Sequence, residues 1–264
     1  MMLLDNRKTQ AFCVLTNKSS KNVIDHFAAI KQGSSRFGMA NIIYHSTDGM
    51  LPDELAPDDT FVFTDKHIDK LGYRRIFRGL IPGSNHFPLL AFYLCYPYYD
   101  FYWNIEDDVR FDGDWSLLFN YFTSLDMAPD FVTSHIRSLQ EEPGWYWWSS
   151  LRHPDAFIPY TIRYRSFNPI FRISNQALRY LHAKLTYQWT GHHEVLIPTL
   201  LHLAGFSIMD FGGYGTFVKP GNENMFYISG NQRREGDLST GTMRYRPRIS
   251  AGEYVKNKLH HPVK

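Results

Sequence analysis

Residues 99–115 read YDFYWNIEDDVRFDGDW, and this stretch decides the fold. Its first half, Tyr99, Phe101, Tyr102, Trp103 and Ile105, is aromatic and β-branched, the composition of a strand buried on at least one side. It ends in three consecutive carboxylates, Glu106, Asp107 and Asp108. Side chains alternate along a strand, so Glu106 and Asp108 are predicted on one face and Asp107 on the other, the first two roughly 7 Å apart. Gly113 and a helical pattern from Asp114-Trp115 follow. Ligands of open α/β sheets bind beyond the carboxyl ends of strands, and an acidic cluster there suits a divalent metal carrying a diphosphate.

The pattern upstream is strand, helix, strand. Residues 11–16 (AFCVLT) form an apolar run, NKSS is turn material, and Ser20 is placed to cap a helix over 22–31. Residues 41–45 and 61–64 read as further strands, with Asp65 at the end of the latter. Residues 71–80 carry Arg74, Arg75 and Arg78, the composition of a solvated face or of a phosphate contact. Ser84 or Asn85 is expected to cap a helix over 87–96, with Pro88 in its first turn. Downstream, a helix over 115–125 and a strand over 131–136 precede an irregular stretch holding Trp145, Tyr146, Trp147 and Trp148. Those rings either fold onto the core or form a wall on which a sugar stacks. Residues 167–173 read as a strand interrupted by Pro169, and Ser174 as the cap of the next helix. Pro198 belongs in a first helical turn, which starts the last helix near Glu194 and exposes that carboxylate to the positive end of the helix dipole, favouring its ionised form. A strand over 207–211 closes the pattern, and 212–264 is either a tail or an active-site flap. The whole is an α/β chain, one domain over 1–264, with a Rossmann-like mixed sheet flanked by helices.

An apolar strand ending in Glu-Asp-Asp, then an apolar residue, a loop and a helix, resembles the metal-binding motif of GT-A glycosyltransferases, which transfer sugars from nucleotide diphosphates. The Glu-Asp-Asp form is similar to that of N-acetylglucosaminyltransferase I-like enzymes. WNIEDDVRFDGDW, with PGSNHFPLL upstream, also resembles a family of uncharacterised bacterial and fungal proteins assigned as glycosyltransferases. The resemblance implies that Asp108 binds Mn²⁺ or Mg²⁺, and that Glu106 and Asp107 hold the ribose and the waters of the metal. It also implies that Thr16, Asn17 and Asp65 hold the nucleoside, that Asn85 faces the donor sugar-phosphate, and that Glu194 is the base of an inverting transfer. Trp147 and Trp148 are the candidate acceptor wall, for a carbohydrate or glycolipid acceptor. His192, His193, His260 and His261 remain candidates for a third metal ligand or simple surface residues.

Composition sets the outer bounds. With 264 residues, 44% hydrophobic and 20% charged, the chain is long enough for a sizeable core. A net charge of +2 argues against nucleic acid as a partner. Cys13 and Cys95 lie in apolar segments and are expected to be buried reduced thiols. MMLLDNRKTQ lacks the apolar core of a signal peptide and no run approaches the roughly 20 apolar residues of a membrane span. The expectation is a cytoplasmic enzyme, with attachment to a membrane surface left open. No Cys-x-x-Cys pairs, P-loop or nucleophile elbow are present. Two other functions share the pattern. A sugar-phosphate nucleotidyltransferase uses similar carboxylates but carries a Gly-rich basic signature that LTNKSSKN lacks, and a non-catalytic carbohydrate-binding protein has no need of three acids at a strand end.

Overall fold

A computed structural model describes residues 9–230 and 238–263. Residues 1–8, most of the stretch read for a signal peptide, lie outside the described residues, as do 231–237 and 264 within the C-terminal segment.

The chain alternates strand and helix through its first half: β1 (Gln10–Thr16), α1 (Lys21–Ser34), β2 (Gly38–His45), β3 (Thr60–Phe63), α2 (Asp65–Asp69), α3 (Phe87–Cys95) and β4 (Phe101–Glu106). After β4 come β5 (Arg110–Phe111), α4 (Trp115–Thr123), β6 (Phe131–Ser138), β7 (Tyr164–Ser174), α5 (Asn175–Thr186), α6 (His193–Leu203), β8 (Ile208–Asp210) and β9 (Leu259–His260). Seven strands form one sheet in the order β3-β2-β1-β4-β7-β6-β8, and β5 pairs β9 beside it. Within the seven-stranded sheet β7 runs against its neighbours β4 and β6 and the other pairs are parallel, while β5 and β9 are antiparallel. The sheet is therefore mixed, flanked by helices on both faces, as the sequence predicts.

The near-continuous apolar character of β1 and β4 follows from burial on both faces. On one face Cys13, Ile43 and Tyr102 pack with residues of α3, α5 and α6. On the other, Phe12, Trp103 and Ile105 pack with residues of α1 and α4. Gly33 permits the close approach of α1 and α4: a Cβ there would lie 2.6 Å from that of Trp115. Pro169 sits inside the central strand β7 because neither ladder needs its missing N–H. Pairing with β4 stops at Ile105↔Ile170, and the register with β6 slips between Val132↔Arg172 and Ser134↔Phe167.

Several local expectations are corrected. The cap position of α3 is His86, with no side-chain cap bond, so neither Ser84 nor Asn85 caps it. Asp65 begins a short helix with Thr64 as its cap. Pro198 lies in the second turn of α6, which starts at His193. Cys95 is exposed, whereas Cys13 is buried, and both are free. The described part of the C-terminal segment is packed: Tyr227, Met243, Leu259 and His260 are buried, and β9 pairs with the strand that follows the acidic cluster. No described helix is long and apolar enough to cross a membrane.

Candidate metal and nucleotide site

Glu106 is the last residue of β4, and Asp107-Asp108 form the turn beyond it. Asp107 and Asp108 lie in a turn, so strand alternation does not apply to them. Glu106 and Asp108 converge with His261, all three ligand atoms within 4.8 Å of one another. His261 Nε2 stands 3.4 Å from Asp108 Oδ1 and 3.9 Å from Glu106 Oε2. The histidine is carried there by β9 and by the backbone bond from Val263 N–H to Asp108 O, 2.9 Å. Its ring packs edge-on against Phe167 at 5.2 Å. Sequence reasoning left His261 undecided because its approach depends on long-range pairing of β9 with β5.

The three groups of the trio act on one another electrostatically. Burial pushes the Glu106 carboxyl up to about 7, Asp108 adding to the push and His261 opposing it. Burial also works against Asp108, but the hydrogen bond and charge of His261 outweigh it and hold that carboxyl below its usual range. Burial opposes the charged form of His261, and Asp108 and Glu106 overcome this and raise its pKa. Two carboxylates and one imidazole form an oxygen-rich donor set with one nitrogen, which fits Mn²⁺ or Mg²⁺.

Asp107 is not one of the trio and is held by Lys18 and Thr16. Lys18 Nζ donates to both of its oxygens at 3.0–3.1 Å, and Thr16 Oγ1 donates to Oδ2 at 2.6 Å. Asn85 Nδ2 donates to Glu106 Oε1 at 2.9 Å, while its Oδ1 is buried with no partner among the described residues. Instead of capping α3, Asn85 uses its amide to orient the carboxylate. These residues line a cleft of about 250 Å³ with Asn17, His45, Phe63, Ile81 and Asp108. Asp65 stands outside the lining, 3.5 Å from His45 Nε2, which is part of it. Lys18 and His45 were missed in the sequence. Lys18 lies in turn material immediately after β1, where strand ends face the ligand, and that position was the available signal.

Glu194, in the first turn of α6, is near enough to the cluster to feel the charges of Glu106 and His261. Its Oε1 is 3.4 Å from Asn168 N, and its Oε2 is 3.7 Å from His192 Nδ1. The helix dipole was expected to keep it ionised. Burial wins instead and raises its pKa to about 7, Glu106 pushing the same way against Arg165 and Asn168 N–H. His192 caps α6 by accepting from Glu194 N–H; burial lowers its pKa to about 2, so it stays neutral and offers Glu194 no counter-charge.

The aromatic stretch divides. Trp148 is buried and donates its indole N–H to Glu142 O at 2.8 Å. It is a core ring and presents no open face for a sugar, which corrects the expectation for that residue. Trp147 is half-buried and stacks on His192, centroids 4.9 Å apart at 21°. Gly83, at φ +96°, lets the 82–85 loop lie against this wall: a Cβ there would come within 3.1 Å of His192 Cδ2 and 2.4 Å of Ile76 Cδ1.

No protein-family model and no curated protein matches the sequence. Among solved structures, the chain is similar to a glucose-1-phosphate thymidylyltransferase from Bacillus anthracis in complex with sucrose, at 10% identity and TM-score 0.39, covering 78% of this chain and 88% of that one. It is similar to the inositol-1-phosphate CTP transferase from T. maritima at 11% identity and TM-score 0.39, with 83% and 93% covered. It is also similar to mouse xyloside xylosyltransferase 1 at 12% identity and TM-score 0.37, with 75% and 82% covered.

Proposed function

We propose that this chain is a metal-dependent glycosyltransferase that moves a sugar from a nucleotide diphosphate to an acceptor hydroxyl with inversion. The observation that carries this reading is the convergence of Glu106, Asp108 and His261 within 4.8 Å, with Glu106 and Asp108 lining a cleft of about 250 Å³ and a buried carboxylate, Glu194, near enough to feel the charge of Glu106.

Glu106, Asp108 and His261 would hold Mn²⁺ or Mg²⁺. When bound, such a cation neutralises charge on a departing nucleoside diphosphate. Thr16, Asn17 and Lys18, at the end of β1, face the nucleotide. Lys18 offers a charge to phosphate and must share it with Asp107. Asn85 keeps Glu106 oriented and has a buried carbonyl oxygen without a partner among the described residues. Glu194 accepts the proton of the acceptor hydroxyl. A base poised near 7 combines an available deprotonated form with useful basicity at neutral pH. Transfer should therefore rise as pH passes through about 7 and fall away below it.

Trp147, with its face on His192, is the remaining candidate for stacking on the acceptor. Trp147→Ala is expected to weaken acceptor binding with little change in melting temperature. Trp148→Ala should lower stability by about 3–5 kcal/mol, the usual loss for a buried tryptophan. Denaturant titrations of the two variants check this, and an equal loss of stability in both would remove Trp147 from the acceptor wall.

The function is tested by thermal shift with a panel of nucleoside diphosphate sugars, with and without Mn²⁺, since a ligand of the native state raises its stability by mass action. A metal-dependent rise with a diphosphate sugar, followed by release of nucleoside diphosphate when acceptors are added, is the expected result. Formation of pyrophosphate from a nucleoside triphosphate and a sugar phosphate would instead make the protein a nucleotidyltransferase. A rise with free sugars alone would make it a binding protein.

A further inference from the structure

β6 and β7 place Arg137 directly opposite Arg165 in their antiparallel register. Both side chains are about 1% exposed. Two like charges facing each other across a strand pair destabilise the sheet, and buried cations require acceptors. Arg165 has one: its Nη1 donates to Glu142 Oε2 at 3.1 Å, and the guanidinium lies over the Trp145 ring at 4.4 Å. The other oxygen of Glu142 is taken by His135 Nε2 at 2.5 Å, and Arg165 Nε has no partner among the described residues.

Arg137 is worse provided. Its Nη1 donates to Ile136 O at 2.7 Å, and its Nε and Nη2 have no partner among the described residues. Asp210 is near enough to feel its charge, but that carboxylate is already filled. Oδ1 accepts from the N–H groups of Gly212 and Gly213 at 3.0 and 2.8 Å, and Oδ2 accepts from Tyr227 Oη at 3.1 Å and Ile136 N at 3.3 Å. Buried guanidinium N–H groups on two facing arginines thus lack acceptors among the described residues, which is costly for the fold.

Their place in the fold gives that cost a use. The end of β6 and the start of β7 lie at the same edge of the sheet as the end of β4, because β7 runs antiparallel to both. The charge of Arg165 acts on Glu194. Over Arg137 lies the ring of Tyr214 at 4.6 Å, itself 46% exposed. The backbone beside it is Gly215 at φ +113°, where a Cβ would approach Arg137 Nη1 to 2.8 Å.

We infer that Arg137 and Arg165 form an oxyanion subsite beside Glu194, covered by Tyr214, which takes a carboxylate or phosphate carried by the acceptor. Planar guanidinium groups with free N–H donors match these oxyanions in paired geometry. The word acceptor rests on the glycosyltransferase reading, whereas the anion site can be measured without it.

The test uses the whole protein without metal. Melting temperature is followed against inorganic phosphate, against glucuronate, and against glucose as the neutral control. Phosphate or glucuronate should raise it and glucose should not, and the stronger of the two anions identifies the group on the acceptor. Arg137→Met should lower anion affinity at least about tenfold. It should also fold, because replacing a buried, poorly paired cation by an apolar side chain is often neutral or stabilising. Arg137→Lys keeps the charge without the fork and should also bind more weakly. The inference is overturned if the parent ignores both anions, if Arg137→Met responds as the parent does, or if Lys18→Ala abolishes the response while Arg137→Met leaves it, since the anion then sits in the nucleotide cleft. Binding of a nucleoside diphosphate with Mn²⁺ by the parent, measured alongside, reports separately on the transferase reading.

Discussion

Glu194→Gln is expected to slow sugar transfer by about 10² to 10⁴-fold, the usual contribution of a general base, and at the same time to make the protein more stable at alkaline pH. The two effects have one cause. Burial raises the Glu194 pKa from 4.5 to about 7, so the folded state holds its proton more tightly than the unfolded chain does. The sign follows: the contribution of this group to stability is fully present below pH 4.5 and is lost as pH rises through about 7. The loss amounts to about 3 kcal/mol, from the size of the shift. Glutamine cannot ionise and escapes it. In the metal-free protein, Glu194→Gln should therefore gain stability over the parent between pH 5 and pH 8, while donor and metal affinity stay within roughly threefold because the base acts on the acceptor in the transition state. Chemical denaturation at the two pH values and turnover with a nucleotide sugar check both halves. Parental turnover would remove the base, and so would a product of retained anomeric configuration. An unchanged stability difference across pH would show that Glu194 is more solvated than its surroundings here imply.

That carboxylate also marks the limit of what sequence can say. Its position, in the first turn of α6, was legible from the apolar positions that follow, although Pro198, expected in that turn, lies in the second. Its charge state was not, because the helix dipole contributes a few tenths to about 1 kcal/mol near the surface, and burial among side chains from β7 and the C-terminal segment outweighs that. The same division recurs. β1, β4 and the Ser174-capped helix were readable because their signals are local: apolar runs bounded by turn residues, and a hydroxyl three residues before the N–H it accepts from, here Ala177 at 3.2 Å. Asn85 has the composition of a cap, yet its amide goes to Glu106 on a strand that the local pattern does not place beside it. Trp147 and Trp148 are adjacent and identical in type, and only tertiary packing separates the buried ring of Trp148, bonded to Glu142 O, from the half-buried ring of Trp147. The arginines of β6 and β7 read as ordinary strand residues until the register sets them face to face.

Asp108→Asn is expected to abolish metal-dependent binding of nucleoside diphosphate, a loss of at least about 10²-fold given that even outer-shell changes at metal sites cost 10 to 100-fold. His261→Ala should fail in the same way, although it lies in the C-terminal segment, because its Nε2 is 3.4 Å from Asp108 Oδ1. Metal-free stability tells the two variants apart. In the parent, the positive charge of His261 opposes the crowding of Glu106 and Asp108. Removing the imidazole leaves two carboxylates facing each other and should lower the melting temperature at neutral pH. Asp108→Asn removes one side of that repulsion but also the partner of His261, so its melting temperature should change less. Calorimetric titration of Mn²⁺ with a nucleoside diphosphate, run on all three proteins beside thermal melts, decides the matter. If His261→Ala binds metal and nucleotide as the parent does, the site is held by the carboxylates of the β4 turn alone, and His261 serves only to tie the C-terminal segment to the sheet. If Asp108→Asn also binds as the parent does, the cluster is not a metal site, and the glycosyltransferase reading loses the observation that carries it.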